Sequence, residues 1–287
     1  MRISLRALDW RRICAVLALL LIAGVTAAEE KKAPVPDAFD WASKGWSRAD
    51  YTVANLKPYA VQGYARAQTI LGFVHLYGNG TKKDPVRAAH WFAKAAAQNY
   101  APAQHALARL YLAAAKADAK AGAKQKKGVA LMRAAARGNH PIAQVEFGLM
   151  FERGQFVKRD SARAVLWFER AARQSFAPGQ FLYALALAKG RGVARNQAAA
   201  HRWGLQAAKG GYGEAQYWLG YRFLKGDGVK ESPVDGLTWL FIAAHGGDVR
   251  ARRVLARYRA RVFEDVWKRA KAKAAAFKPP KGPKPVF

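Results

Sequence analysis

One tract recurs along the chain at a nearly fixed interval. Gln68, Gln104, Gln144, Gln180 and Gln216 each follow an alanine or a glycine, spaced by 36, 40, 36 and 36 residues. Trp91, Trp167, Trp203 and Trp239 keep the same clock, and Leu131 fills the tryptophan position of the odd copy. An alanine pair returns as Ala95-Ala96, Ala171-Ala172, Ala207-Ala208 and Ala243-Ala244. A helix-capping residue returns as Asp84, Asp160, Asn196 and Ser232, followed by proline at Pro85 and Pro233. Periods of this length mark stacked supersecondary units, each too small to bury its apolar face alone.

Each unit reads as two helices. In the second, Ala88, Trp91, Phe92, Ala95 and Ala96 share one face at 3.6-residue spacing. The cap side chain accepts from free N–H groups of the first turn, and proline fits the first helical position. The first helix carries a large apolar residue beside a small one: Leu71-Gly72, Leu107-Ala108, Phe147-Gly148, Tyr183-Ala184 and Leu219-Gly220. Glycine inside a helix costs ~1 kcal/mol against alanine, so this pattern predicts close helix packing. The connecting turn is Gly78-Asn79-Gly80, Gly190-Arg191-Gly192 and Gly226-Asp227-Gly228, while the third copy keeps Gly154 and puts Phe156 at the second glycine's place. No strand precedes these turns and no Gly-Lys-Ser/Thr follows, which argues against a phosphate-cradling loop.

The second copy departs from the pattern. Tyr111 to Val129 is four residues longer, lacks the Gly-x-Gly turn and the acidic cap, and carries Lys116, Lys120, Lys124, Lys126 and Lys127 among alanines. Good helix formers there predict that both helices lengthen by about one turn, making a basic spur or a merely solvated extension.

The ends lie outside the array. Arg2, Arg6, Arg11 and Arg12 precede an uncharged run from Ile13 to Val25 and the small residues Thr26-Ala27-Ala28. This is the pattern of a secretory signal peptide cleaved after Ala27 or Ala28. The run is short of the ~20 residues of a membrane span, although an uncleaved inner-membrane anchor is the alternative. Cys14, the only cysteine, leaves with the signal. The expected organisation is a signal at 1–27, a lead-in at 28–37, a degenerate hairpin at 38–64 and repeats at 65–248. A capping helix at 249–277 and a disordered basic, proline-rich tail at 278–287 complete it. In the degenerate part, a helix is expected near 38–46, then a capping box at 47–50 and a helix carrying Tyr51, Ala54 and Leu56.

The chain holds 49 basic and 19 acidic residues, a formal net charge of +30. Removing residues 1–27 takes away four arginines and one aspartate and leaves +27. Such a field draws polyanions, and nucleic acid is improbable for an exported protein. Arg250, Arg252, Arg253, Arg257, Arg259 and Arg261 give the C-terminal helix a polar face. That suits an end cap, or alternatively a polyanion contact. Tyr217, Trp218 and Tyr221 make one first helix unusually aromatic, as in an inter-repeat seam or a binding surface. The repeated tryptophans are expected in the core.

No catalytic set stands out. His75 aligns with Phe151, Leu187 and Phe223, which predicts packing. His90, His105, His140, His201 and His245 occupy unrelated repeat positions. No His-Glu-x-x-His or cysteine pair points to zinc, and no cofactor or metal site is expected.

The copy Ala67-Gln68, Leu71-Gly72, Gly78-x-Gly80, Asp84, Ala88, Trp91, Ala95-Ala96 strongly resembles the Sel-1-like repeats, cousins of the tetratricopeptide repeats, over about residues 47–250. The resemblance implies an all-α fold, a right-handed α/α superhelix of stacked helical hairpins. It implies a non-catalytic scaffold or adaptor, often exported. One exported branch of the family has disulfide-linked helices and affinity for penicillin-like ligands. With no mature cysteine and no Ser-x-x-Lys, this chain is not expected to share it. The expected function is therefore an interaction scaffold of the cell envelope, holding a peptide or protein on a concave face. Candidate contacts are Lys116, Lys120, Lys124, Lys126, Lys127, Arg252, Arg253 and Arg257, with Tyr217, Trp218 and Tyr221. The alternative is a binder of anionic envelope surfaces: lipopolysaccharide, phospholipid headgroups or acidic cell-wall polymer. A remote one is an enzyme acting on peptidoglycan or a β-lactam.

Overall fold

The computed structural model describes residues 51–117 and 121–278. Thirteen helices and no strands occur among them. The chain divides into two compact units, residues 1–88 and 89–287.

In the described part of the first unit, α1 (Val53–Val61) packs on α2 (Ala65–Tyr77). The cap of α1 is Thr52, whose hydroxyl accepts from Asn55 N at 3.2 Å, so Tyr51 lies before the helix. The helix and capping box expected at 38–50 fall outside the described residues. Gly78 ends α2 in the left-handed conformation at φ 75°. Asp84 N–H donates to the His75 carbonyl at 2.8 Å, closing the turn, and Asp84 Oδ1 accepts from Arg87 N at 2.8 Å. This cap opens α3 (Pro85–Ala97).

The second unit stacks helices in sequence order. They are α4 (Ala101–Ala117), α5 (Gly122–Arg137), α6 (Pro141–Arg153), α7 (Ser161–Arg173) and α8 (Ala177–Lys189). Then come α9 (Gln197–Lys209), α10 (Gly213–Lys225), α11 (Pro233–His245), α12 (Val249–Arg259) and α13 (Glu264–Ala275). Each regular first helix and each regular second helix is 13 residues long, whereas α4 has 17 and α5 has 16. The odd copy thus lengthens both helices by about a turn, as its composition predicts. Asp160, Asn196 and Ser232 cap α7, α9 and α11, each accepting from the backbone N–H three residues on.

The recurring glutamine joins one copy to the next. A helix leaves its last carbonyls without intrahelical donors. Gln104, Gln144 and Gln216 are buried, and their Nε2 atoms donate to the carbonyls of Ala96, Ala136 and Ala208, eight residues back. Gln68 does the same to Ala60 in the first unit. The alanine pairs Ala95-Ala96, Ala171-Ala172 and Ala207-Ala208 are buried, as is Ala243 of the last pair, because the next helix crosses over them. A Cβ on Gly179 would stand 2.5 Å from the Ala171 methyl.

The large–small pairs pack as their pattern predicts. A Cβ on Gly148 would meet the Phe168 ring at 2.6 Å, and one on Gly220 would meet Leu240 at 2.7 Å. The repeated tryptophans differ from expectation. Trp91, Trp167, Trp203 and Trp239 are half-buried, and the core position is the next residue, at Phe92, Phe168, Gly204 and Leu240. Each tryptophan instead lays an edge or face on a neighbour: Trp167 on Phe147, Trp203 on Tyr183 and Trp239 on Phe277.

The expected single capping helix is two helices. Residues 260–263 break it, and α13 packs on α11. Trp267 meets Phe241 edge-on at 4.9 Å, and Ala270 is fully buried. A continuous helix from Val249 could not return Trp267 and Ala270 to α11 while Ala251 and Leu255 hold the same core. Packing overrides the helix propensity of the connecting residues.

Candidate functional site

A cavity of about 470 Å³ opens between the first helices α4 and α6, beside the odd copy. Its apolar floor is Leu112 of α4, Met132 of α5, Leu149 and Met150 of α6, and Phe156 from the following turn. Arg109, Lys116, Glu146 and Arg153 form its rim. Phe156 adopts the glycine conformation of its turn, at φ 64°, where a side chain costs roughly 1–2 kcal/mol. Gln125 of α5 donates to the Phe156 carbonyl at 3.4 Å. The strain is held in place by the core against which Phe156 packs, and its result is an aromatic wall where other copies have none.

Glu146 links this rim to two histidines. His105 Nε2 lies 2.9 Å from Glu146 Oε2, and the His105 and His140 rings are 5.0 Å apart. Arg109 Nε stands 4.0 Å from the other carboxylate oxygen. Burial lowers His140 to about 4, helped by His105 and opposed by Glu146. Burial pushes Glu146 up, but the hydrogen bond and charge of His105, with Arg109 and His140, more than offset it, and the carboxyl is lowered. The pair His105–His140 occupies the same repeat positions as the aromatic pair Phe181–Tyr212. Repeat register was the signal that could have joined two histidines 35 residues apart. Scanning for helical i, i+4 pairs could not.

The sequence-singled residues are dispersed. Lys116 reaches the cavity rim, and Lys124, Lys126 and Lys127 are exposed along the start of α5. Lys120 lies outside the described residues. Arg252, Arg253 and Arg257 are exposed on α12, with Arg252 donating to the Gly247 carbonyl. Tyr217 lies under the Arg250 guanidinium at 4.5 Å, and Trp218 fills the space left by Gly204, edge-on to Phe181. Tyr221 is exposed. The aromatic trio is therefore split, two in the seam and one on the surface. His75 is buried and lowered chiefly by burial, in keeping with packing.

Arg222 escaped sequence reasoning. It is 1% exposed, where the aligned residues Ala186, Met150 and Val74 are apolar. Nε donates to the Asp227 carbonyl and Nη2 to Gln197 Oε1, both at 2.6 Å, and the guanidinium stacks on Trp218 at 4.5 Å. Nη1 has no partner among the described residues. Burial lowers its pKa. Among the described residues, no group of three His, Cys, Asp or Glu side chains could hold a metal ion. No described helix is long and apolar enough to cross a membrane.

Comparison with known proteins follows the same lines. The family model of the Sel1 repeat matches residues 65–100, 141–176, 177–212 and 213–248, just over half of the chain, and passes over the odd copy at 101–140. A solved structure of a protective antigen from uropathogenic Escherichia coli, described as displaying an SLR fold, is similar at 31% identity and TM-score 0.67. The likeness covers 78% of this chain and 48% of that one, so the chain spans about half the length of that relative. A Sel1 repeat protein from Oxalobacter formigenes is similar in fold at 24% identity and TM-score 0.63, over 83% of this chain and 89% of that one. No curated protein matches significantly. Sel1 repeat proteins generally serve as protein–protein interaction scaffolds. Four matched repeats, capped and packed as described, place this chain in the Sel1 repeat family.

Proposed function

We propose that the protein is a non-catalytic interaction scaffold of the bacterial cell envelope that holds a peptide or protein partner on the face presented by its first helices. The observation that carries this reading is the cavity between the first helices α4 and α6. Tyr221 and Arg109 are exposed on first helices as well. Export is supported by the basic, apolar and small-residue tripartite segment at 1–28. A photo-crosslinking residue at Tyr221 is expected to trap a stoichiometric envelope partner. The same residue at Leu166, exposed on the second helix α7, is expected to trap none. Equal labelling from both positions, or none from either, overturns the reading. Fractionation is expected to find a processed chain, beginning at Ala28 or Glu29, in the osmotic-shock fluid.

A second reading rests on charge. Arg253 and Arg257 on α12, Arg261 in the connection, and Lys268 and Arg269 on α13 form no ion pair among the described residues. Near an anionic membrane each such residue contributes ~1 kcal/mol. The protein would then cosediment with phosphatidylglycerol vesicles and be released by salt. Arg253→Glu with Arg257→Glu is expected to abolish that binding if these helices make it. Lys116→Glu with Lys124→Glu does so if the long hairpin makes it.

A further inference from the structure

Several departures from the repeat converge on one place. A first helix of regular length starting at Ala101 would end at Ala113, so Lys116 is helical only because α4 is long. Phe156 stands where other copies have glycine. Two of the chain's three methionines, Met132 and Met150, face the same cavity. Unbranched thioether side chains adapt their packing to varied apolar guests. All of these residues line the space between α4 and α6.

We propose that this cavity is a receptor for an acidic, amphipathic peptide segment, taking a leucine- or phenylalanine-sized side chain on its floor and carboxylates on its rim. This deepens the scaffold reading and rests on it for the existence of a partner. The volume of about 470 Å³ is within the range of sites that enclose small ligands and side chains. The charges select the sign. Lys116 and Arg153 form no ion pair among the described residues, and Glu146, the one acid on the rim, is already held by His105 and Arg109. A carboxylate arriving there meets unspent positive charge, which sets orientation and encounter rate. The floor selects amphipathic over purely anionic. A sulfated sugar or phosphate headgroup would use the rim and bring nothing apolar to the floor of Leu112, Met132, Leu149, Met150 and Phe156.

The test uses the full mature chain and three fluorescein-labelled octapeptides: alternating leucine–glutamate, all-glutamate, and alternating leucine–lysine. Anisotropy is read at about 50 and about 300 mM salt, either side of the ionic strength at which surface charges are screened. The leucine–glutamate peptide is expected to bind at least about tenfold more tightly than either other peptide. Ala113 is exposed at the cavity mouth, so Ala113→Trp plugs the site without entering the core. It is expected to weaken binding at least about tenfold at both salts. Ala130→Trp, equally exposed on α5 but outside the lining, is expected to change nothing. Lys116→Glu with Arg153→Glu is expected to weaken binding at low salt, and it keeps the test decisive if Ala113→Trp misfolds by circular dichroism. Equal affinity for all-glutamate, or a folded Ala113→Trp variant that binds as the parent does, overturns the proposal. A partner trapped from Tyr221 in both the parent and Ala113→Trp backgrounds overturns it while leaving the scaffold reading standing. Failure to trap any partner overturns the scaffold reading itself.

Discussion

Gln144 shows how much of this architecture one side chain can carry. Its Nε2 donates to the Ala136 carbonyl and to Asn139 Oδ1, and its Oε1 accepts from Gln174 at 2.7 Å. Leucine would fill the space but strand a buried carbonyl and an amide. Gln144→Leu is therefore expected to lower stability by about 1–3 kcal/mol, read as a shift of the urea midpoint. His140, which precedes the same helix and whose carbonyl accepts from the Gln144 N–H, sets a pH dependence. The unfolded chain protonates this histidine below its ordinary value of 6.5, while the folded chain resists until about 4. Protonation in that window favours the unfolded state, so stability falls as pH drops from 6.5 to about 4 and levels off below. Glu146, lowered in the fold, adds loss in the same direction under acid. Discounted for partial exposure, the His140 contribution is about 2 kcal/mol. Tyrosine holds the aligned position at Tyr100 and Tyr212, so His140→Tyr is expected to flatten the decline. An unchanged slope of stability between pH 6.5 and 4 would reject the assignment.

At the level of helices, contact distance decides which glycines matter. Gly148 lies against Phe168 and the Ala164 carbonyl, whereas a Cβ on Gly213, at the start of α10, meets nothing within 4 Å. Gly148→Ala is expected to destabilise by roughly 1–3 kcal/mol through overpacking. Gly213→Ala is expected to be neutral or stabilising by up to about 1 kcal/mol. Thermal denaturation of the two variants checks both. Caps, turns and large–small pairs were legible in the sequence because each is a local rule repeated in register. The lengthened α4 and α5 were legible from alanine and lysine for the same reason. Two things were not read. The break between α12 and α13 contains neither glycine nor proline, although Arg257 and Arg259 followed by Glu264 and Asp265 place each charge at its favoured helix end. The cavity was hidden because its floor and rim come from residues 109–156, on three helices and a turn, and no spacing rule joins them. Of the described lysines singled out in that region, only Lys116 reaches it.

For the molecule as a whole, an array of stacked hairpins must end somewhere, and the terminal surface is apolar unless something covers it. Here α13 covers α11. Trp267, Val266 and Ala270 meet the cluster of Leu237, Leu240 and Phe241, and Lys273 pairs with Asp235. The outer side of α13 is left to Lys268, Arg269 and Lys271, all exposed. Like charge on that surface opposes end-to-end stacking of a second copy, just as the net charge of +30 opposes association in general. Ending the chain at Ala260 would uncover α11 and remove eight basic and two acidic residues, leaving +24. Both changes favour self-association. The shortened chain is expected to sediment as dimers or larger species at concentrations where the parent is monomeric, and more strongly as salt screens the remaining charge. Ending it at Lys278 keeps α13 and is expected to leave the parent's state unchanged. Trp267→Ala, which opens the seam without shortening the chain, is expected to cost about 3 kcal/mol and to move the protein part of the way towards association. A monomeric chain ending at Ala260 would mean that α11 needs no cover, and that α13 serves the basic surface it displays.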